Sequence, residues 1–264
     1  LPTPIPVGPD AGHTIRAKRF FEEFAGAGIF VGIAVGDPWT DEAAPPTALE
    51  TDRNLGRITV TGSPGASLTT NNCKCEFNLE CFQAGIESYK VVAASASTYN
   101  VVKMSNSAVL ASGVAVSPNG NDSIVKGLTF TVTSSSMTTA HEKIFKVDGP
   151  IAFKKAEDIK YVVEDALGEI EYAGGNWTEV DAADIFARKV RHVWVKAVFR
   201  YAEHPAVDFR QSGVLTRLVR VSGNAAALLP SEVDEAGWLE LIVNDTQLTR
   251  NAISKEELCY ICEF

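Results

Sequence analysis

The stretch YKVVAASASTYNVVKMSNSAVLASGVAVSPNGNDSIVKGLTFTVTSSS, residues 89–136, decides the fold class. It is rich in Val, Ala, Ser and Thr, lacks helical periodicity and breaks at polar turns, so it reads as a run of short strands. Within it, Asn119-Gly120 is a strong hairpin signal. The same composition holds over residues 58–145, which we read as a small, inserted, β-sandwich-like domain rich in Ser and Thr. Residues 1–57 supply an arm, a helix and a strand to a β-sandwich-like core domain that residues 146–264 complete. The expected class is mainly β with a few short helices, an α+β chain.

Upstream, TIRAKRFFEEFAGAG at 14–28 places Ala17, Phe20, Phe21 and Phe24 at helical spacing. Thr14 is suited to cap that helix, and Gly26 and Gly28 to stop it. IFVGIAVG at 29–36 reads as a short buried strand. Four prolines in LPTPIPVGP suggest an extended arm, not a basic-then-apolar signal peptide.

Downstream, IKYVVEDALGEIEY at 159–172 fits a helix or a hairpin turning at Gly168. Its β-branched and aromatic residues favour the hairpin. Asp181 is placed to cap a short helix, DAADIFARK. RHVWVKAVFRY at 191–201 alternates cleanly: Val193, Val195, Ala197, Phe199 and Tyr201 share one face, while His192, Trp194, Lys196 and Arg200 share the other. FRQSGVLTRLVRV, GWLELIVN and ELCYICEF follow as strands, the last pinning Phe264 inside a sheet.

Hydrophobic residues make up 45% of the chain and charged residues 22%, as expected of a folded protein with a real core. The net charge of -9 argues against nucleic acid and anionic membranes as partners. No apolar run approaches the roughly 18 residues that cross a bilayer.

Five cysteines, Cys73, Cys75, Cys81, Cys259 and Cys262, cannot all pair within one chain. They stand as free thiols, as late disulfides partly between subunits, or as a four-cysteine zinc site. Cys259 and Cys262 lie on an alternating strand and should face opposite ways, which argues against a shared metal or redox role.

No pattern nominates an enzyme. GAGIFVGIAVG runs helix, glycines, strand, the reverse of a dinucleotide-binding turn. The histidines His13, His141, His192 and His204 sit in no catalytic motif, and AHEK at 140–143 lacks a second zinc ligand. Glu164, Asp165, Glu169 and Glu171 read as a solvated face. No catalytic residue, cofactor or metal is expected. The better candidates are recognition features. Trp39, beside Pro38 in a proline-rich loop, either caps the core or anchors a partner. Arg210 either forms an internal salt bridge or clamps a partner's carboxylate.

Three stretches carry a family resemblance: IFVGIAVGDPWTDEAAPP, the pair VWVKAVFRYAEHP and VDFRQSGVLTRL, and the ending EAGWLELIVNDTQLTRNAISKEELCYICEF. With Gly36, Pro38 and Trp39, then Phe209, Arg210 and Gln211, then Glu263 and Phe264, the chain resembles the baseplate wedge proteins of contractile-tailed bacteriophages. The likeness covers about 14–55 and 145–264 and leaves the middle region outside. It implies a non-enzymatic virion scaffold, assembled in the bacterial cytoplasm. Such a scaffold joins neighbouring wedge proteins, and further copies of itself, around the tail tube, and it rearranges on contraction. A receptor-binding or adhesin module is the alternative for the Ser/Thr-rich region, and surplus carboxylates are the sole argument for a hydrolase.

Overall fold

The computed structural model describes residues 9–35, 38–48, 54–62, 68, 72–133, 137–200, 203–204, 206–250 and 255–264. The expected proline arm, Gly36, Tyr201 and the Phe24 side chain lie outside them. The chain is mainly β, as its composition implied, but the helical content differs from expectation. One helix, α1 (Pro9–Ala27), and one 3-10 turn (Pro230–Glu232) are the helices among the described residues. Helix α1 begins before Thr14, with Pro9 where its missing N–H costs nothing. Thr14 is therefore not a cap; it is buried in mid-helix, where its hydroxyl donates to the Asp10 carbonyl at 3.1 Å. Gly26 lies within the helix, and Gly28, at φ 102°, follows its end. Ala17 and Phe20 face the core, and Phe21 stacks on Tyr161 at 4.2 Å.

Strand β1 (Phe30–Ala34) is buried at every position because it lies mid-sheet with a hydrophobic core on each face. At its centre Gly32 pairs with Gly213. A Cβ on Gly32 would come within 2.3 Å of Leu55, so the paired glycines make the slot that Leu55 fills.

The middle region forms β2 (Arg57–Gly62), β3 (Cys73–Phe77), β4 (Ile86–Ala93), β5 (Thr98–Lys103), β6 (Ala108–Ala115), β7 (Ser117–Val125), β8 (Leu128–Val132) and β9 (Glu142–Asp148). They build a five-stranded sheet, β2-β9-β4-β5-β6, and a three-stranded one, β3-β8-β7. Between them Tyr89, Tyr99, Phe130, Phe145 and Val147 form a core of this segment's own residues. Asn119-Gly120 is not the hairpin turn. It lies inside β7 at a shift in register with β8, and the chain reverses at Lys126-Gly127. A bulge and a turn both need the left-handed backbone that Gly120 supplies at φ 78°, so the dipeptide alone does not separate them.

The remaining strands are β10 (Pro150–Lys155), β11 (Asp158–Glu164), β12 (Ile170–Tyr172), β13 (Gly175–Glu179), β14 (His192–Phe199), β15 (Val207–Thr216), β16 (Val219–Arg220), β17 (Ala227–Leu228), β18 (Val233–Glu235), β19 (Trp238–Arg250) and β20 (Glu256–Glu263). They form the sheets β17-β10-β1-β15-β19 and β12-β13-β11-β14-β20, with β16 and β18 as a short ribbon. Val193, Val195, Ala197 and Phe199 of β14 enter the core that these larger sheets share with α1, as their alternation required.

Three local expectations fail here. Residues 159–172 are extended, but β11 and β12 do not pair; β13 inserts between them. Residues 182–189 form successive turns rather than the helix expected after Asp181; of the residues in these turns only Ile185 is buried, too few to anchor a nine-residue helix. The closing strand β20 is a sheet edge, not an inner strand, though Phe264 is tied down through its N–H to the Arg191 carbonyl at 2.9 Å.

Candidate interaction site

The two residues nominated for recognition meet where the β15–β19 ladder breaks. Between the pairs Phe209–Leu248 and Gln211–Asn244, β15 contributes Arg210 alone, while β19 contributes Asp245, Thr246 and Gln247. The polar run Asn244–Gln247 interrupts an apolar strand, and the excess residues bulge outward. The loop 38–48 closes over this bulge.

Glu42 is the centre of the closure. Its Oε1 accepts from Arg210 Nε at 2.8 Å and from the Trp39 backbone N–H at 3.0 Å. Its Oε2 accepts from the Gln247 backbone N–H at 3.3 Å. Trp39 Nε1 donates to the Asp245 carbonyl at 2.7 Å, and the Arg57 guanidinium lies 4.5 Å above its ring. Arg210 Nη2 also donates to Gln247 Oε1 at 2.6 Å, and Gln247 Nε2 donates to Asp208 at 2.8 Å. Partial burial works to raise Glu42, but the donated hydrogen bonds, led by Arg210, outweigh it and hold the carboxyl below its usual range. The loop's far end is fixed as well, with Asn244 Nδ2 donating to the Pro46 carbonyl at 2.9 Å.

Trp39 is 8% exposed and Arg210 7% exposed, both with partners inside the chain. Pro38 is exposed at the outer start of the loop. Beside them a cleft of about 610 Å3 opens between the loop and the middle region, walled by Trp39, Arg57, Phe77, Gln211 and Asn244 among others. Its amides are mutually engaged: Gln211 Nε2 donates to Asn244 Oδ1, and Gln211 Oε1 accepts the Gly56 N–H. The geometry is a brace that holds a proline-rich loop in one shape.

Glu42, Asp208, Asp245 and Gln247 escaped the sequence reading. The polar interruption NDTQ at 244–247, which marks a broken ladder, was a signal for Asp245 and Gln247; Glu42 and Asp208 carried none.

The other titratable candidates are dispersed. Glu164, Glu169 and Glu171 are exposed, and Asp165 bonds the Leu167 N–H and the Thr178 hydroxyl, bracing its own turn. His141 accepts the Thr138 N–H, and His192 packs edge-on to Trp177 at 4.8 Å.

All five cysteines are free. Cys259 and Cys262 do face opposite ways, opposite Lys196 and Val193. Cys73 and Cys75 belong to one core and Cys262 to another, so they form no common zinc site. Burial pushes the Cys73, Cys81 and Cys262 thiols up to about 12, and Cys75 higher still. Thiolates react and thiols do not. A thiol reagent is thus expected to label the half-buried Cys259 first and the other four only on unfolding. Fast labelling that survives Cys259→Ser would contradict this.

Comparison with known proteins bears on residues 132–264, which match a family described as baseplate wedge 3 tail fiber network component. A relative, virion protein 3 of Enterococcus phage phiEF24C, is 29% identical over 136 residues, or 50% of this chain and 72% of that protein. The family match includes Arg210, Asp245 and Gln247. Pro38, Trp39 and Glu42 fall outside it.

Proposed function

The chain belongs to the baseplate wedge 3 tail fiber network component family, and on that premise we propose that it is a wedge scaffold of a contractile tail. It is a structural component of a phage tail and a virion protein. In the proposed role it joins neighbouring baseplate proteins around the tail tube, works without catalysis, and is assembled in the host cytoplasm before the tail contracts. The observation that carries this reading is the braced loop. Trp39, Glu42 and Arg210 use partly buried hydrogen bonds to fix an exposed proline-rich surface rather than to line a reactive pocket. A preset loop loses little entropy on docking, which is what a permanent joint needs. Pro38 and the exposed rim of the loop are the partner-facing part, with Trp39 and Arg210 acting from behind. Quantifying the protein in purified virions tests the role: copies in a multiple of six are expected, and absence from the particles would remove the scaffold reading.

We further propose that 58–145 is an inserted domain. Its separate core, built from residues between Leu68 and Val147, supports this. The isolated segment 57–148 should melt in one cooperative transition; a chain that stays unfolded alone would contradict the insertion. If that fragment also binds bacterial envelope, the adhesin alternative gains over a purely structural role.

A further inference from the structure

The middle region meets the rest of the chain at a neck, where Arg57 of β2 pairs with Asp148 of β9 between Gly56 and Gly149. A two-stranded neck flanked by glycines bends readily, and domains joined in this way move against each other unless a sizeable contact prevents it. A second attachment is present. Residues 78–85, on the way from β3 to β4, run along the free edge of β18. The Cys81 N–H donates to the Asp234 carbonyl at 2.9 Å and the Ala236 N–H to the Leu79 carbonyl at 3.0 Å, with Glu80 opposite Glu235. Gln83 Nε2 donates to the Val233 carbonyl at 3.3 Å. Lys126, in the β7–β8 turn, pairs with Asp234 and counters the charge of Glu80. The β16-β18 ribbon thus gains a third strand from the middle region, by the main-chain pairing with which sheets capture peptides.

Consecutive side chains carry this attachment into two different cores. Cys81 is buried with Phe30, Phe153, Leu215 and Val233, whereas Phe82 is buried with Tyr89 and Phe130 in the middle region's own core. Gly127 and Gly149 make the seat for Phe82. A Cβ would come within 2.5 Å of its backbone nitrogen at the first and 2.4 Å of its ring at the second. We propose that residues 78–85 are a clasp that couples the inserted domain to the core domain, so that the two move as one rigid lever and do not swing about the neck. The cleft beside Trp39 has Gln211 and Asn244 on one wall and Glu76 and Thr129 on the other, so the clasp also fixes its width.

The clasp rests on the reading of 58–145 as an inserted domain, which fails if the fragment does not fold alone; the clasp itself fails on distances within the full chain. Spin labels on Ala96→Cys, in the β4–β5 turn, and Leu167→Cys, in a turn of the core domain, both occupy exposed positions. A Cys259→Ser background leaves the other four thiols buried and unlabelled. Pulsed electron resonance is expected to give one narrow distance peak. Cys81→Asp, which puts a charge where the clasp is seated, should turn that peak into a broad distribution while circular dichroism keeps its strand signal. Should that variant not fold, the surface pair Gln83→Glu and Lys126→Glu, which sets acids against the Val233 carbonyl and Asp234, should broaden the peak in the same way. A broad distribution in the parent chain, or a narrow peak in the folded variants, would overturn the proposal.

Discussion

Trp39→Ala is expected to lower the unfolding free energy by about 3 kcal/mol, the low end for deleting a buried tryptophan. The indole is almost fully buried, donates to the Asp245 carbonyl and carries the Arg57 guanidinium on its face. Removal leaves that carbonyl unpaired over the β19 bulge and frees the start of the loop. Its packing neighbours are polar rather than a large apolar cluster, which places the loss below the upper values. Chemical denaturation measures the loss, and limited proteolysis should show new cleavage within 38–48. Arg210→Met should produce similar cleavage by releasing Glu42. In the double variant the losses should not add, because both side chains hold one loop, the indole through the Asp245 carbonyl and Arg210 through Glu42. Additive losses, or a loop as resistant as before, would mean that the hydrogen bonds drawn to Glu42 do not hold it.

Acid is expected to destabilise the fold before ordinary carboxylates titrate, through His204. Its ring is buried and packs on Phe199 at 5.4 Å, and neither nitrogen has a hydrogen-bond partner among the described residues. Burial, reinforced by the nearby Arg250 guanidinium, lowers its pKa from 6.5 to about 4. The folded state therefore binds fewer protons than the unfolded chain between those values. Stability is fully present above pH 6.5, falls as the pH drops towards 4, and then levels for this group, a total of about 3 kcal/mol. Glu203 and Glu157 have lowered pKa values and add their losses below about 4.5. Thermal melts at stepped pH separate the two. His204→Phe, which keeps a ring against Phe199, should flatten the curve between pH 6.5 and 4.5 and leave the lower limb. An unchanged slope in that variant would remove His204 as the cause.

The sequence disclosed most where burial imposed a period. The alternation of β14 predicted its buried face, and the apolar run around Gly32 predicted β1 as a short buried strand. It failed where two structures ask for the same residue. Gly120 serves a bulge as well as it would a turn, and Asp181 suits a run of turns as well as a helix start. Pairing order was invisible, since nothing in 159–172 tells β12 to wait for β13. The site was half legible. Trp39 and Arg210 stood out as bulky or charged residues in special places. Glu42, one acid among many, acquires its role only when β19 bulges towards it from about 200 residues away. The family resemblance was drawn from stretches at both ends, yet the match to the family spans 132–264 and so leaves the Gly36-Pro38-Trp39 motif to the chain's own geometry.

A reconstruction of the whole virion at side-chain resolution puts the central claim to its most direct test. The account predicts this chain in the baseplate, with Trp39 and Arg210 still turned inward on Glu42 and the 38–48 loop seated on a neighbouring protein. A baseplate in which that loop faces open solvent, with every contact made elsewhere, would contradict it.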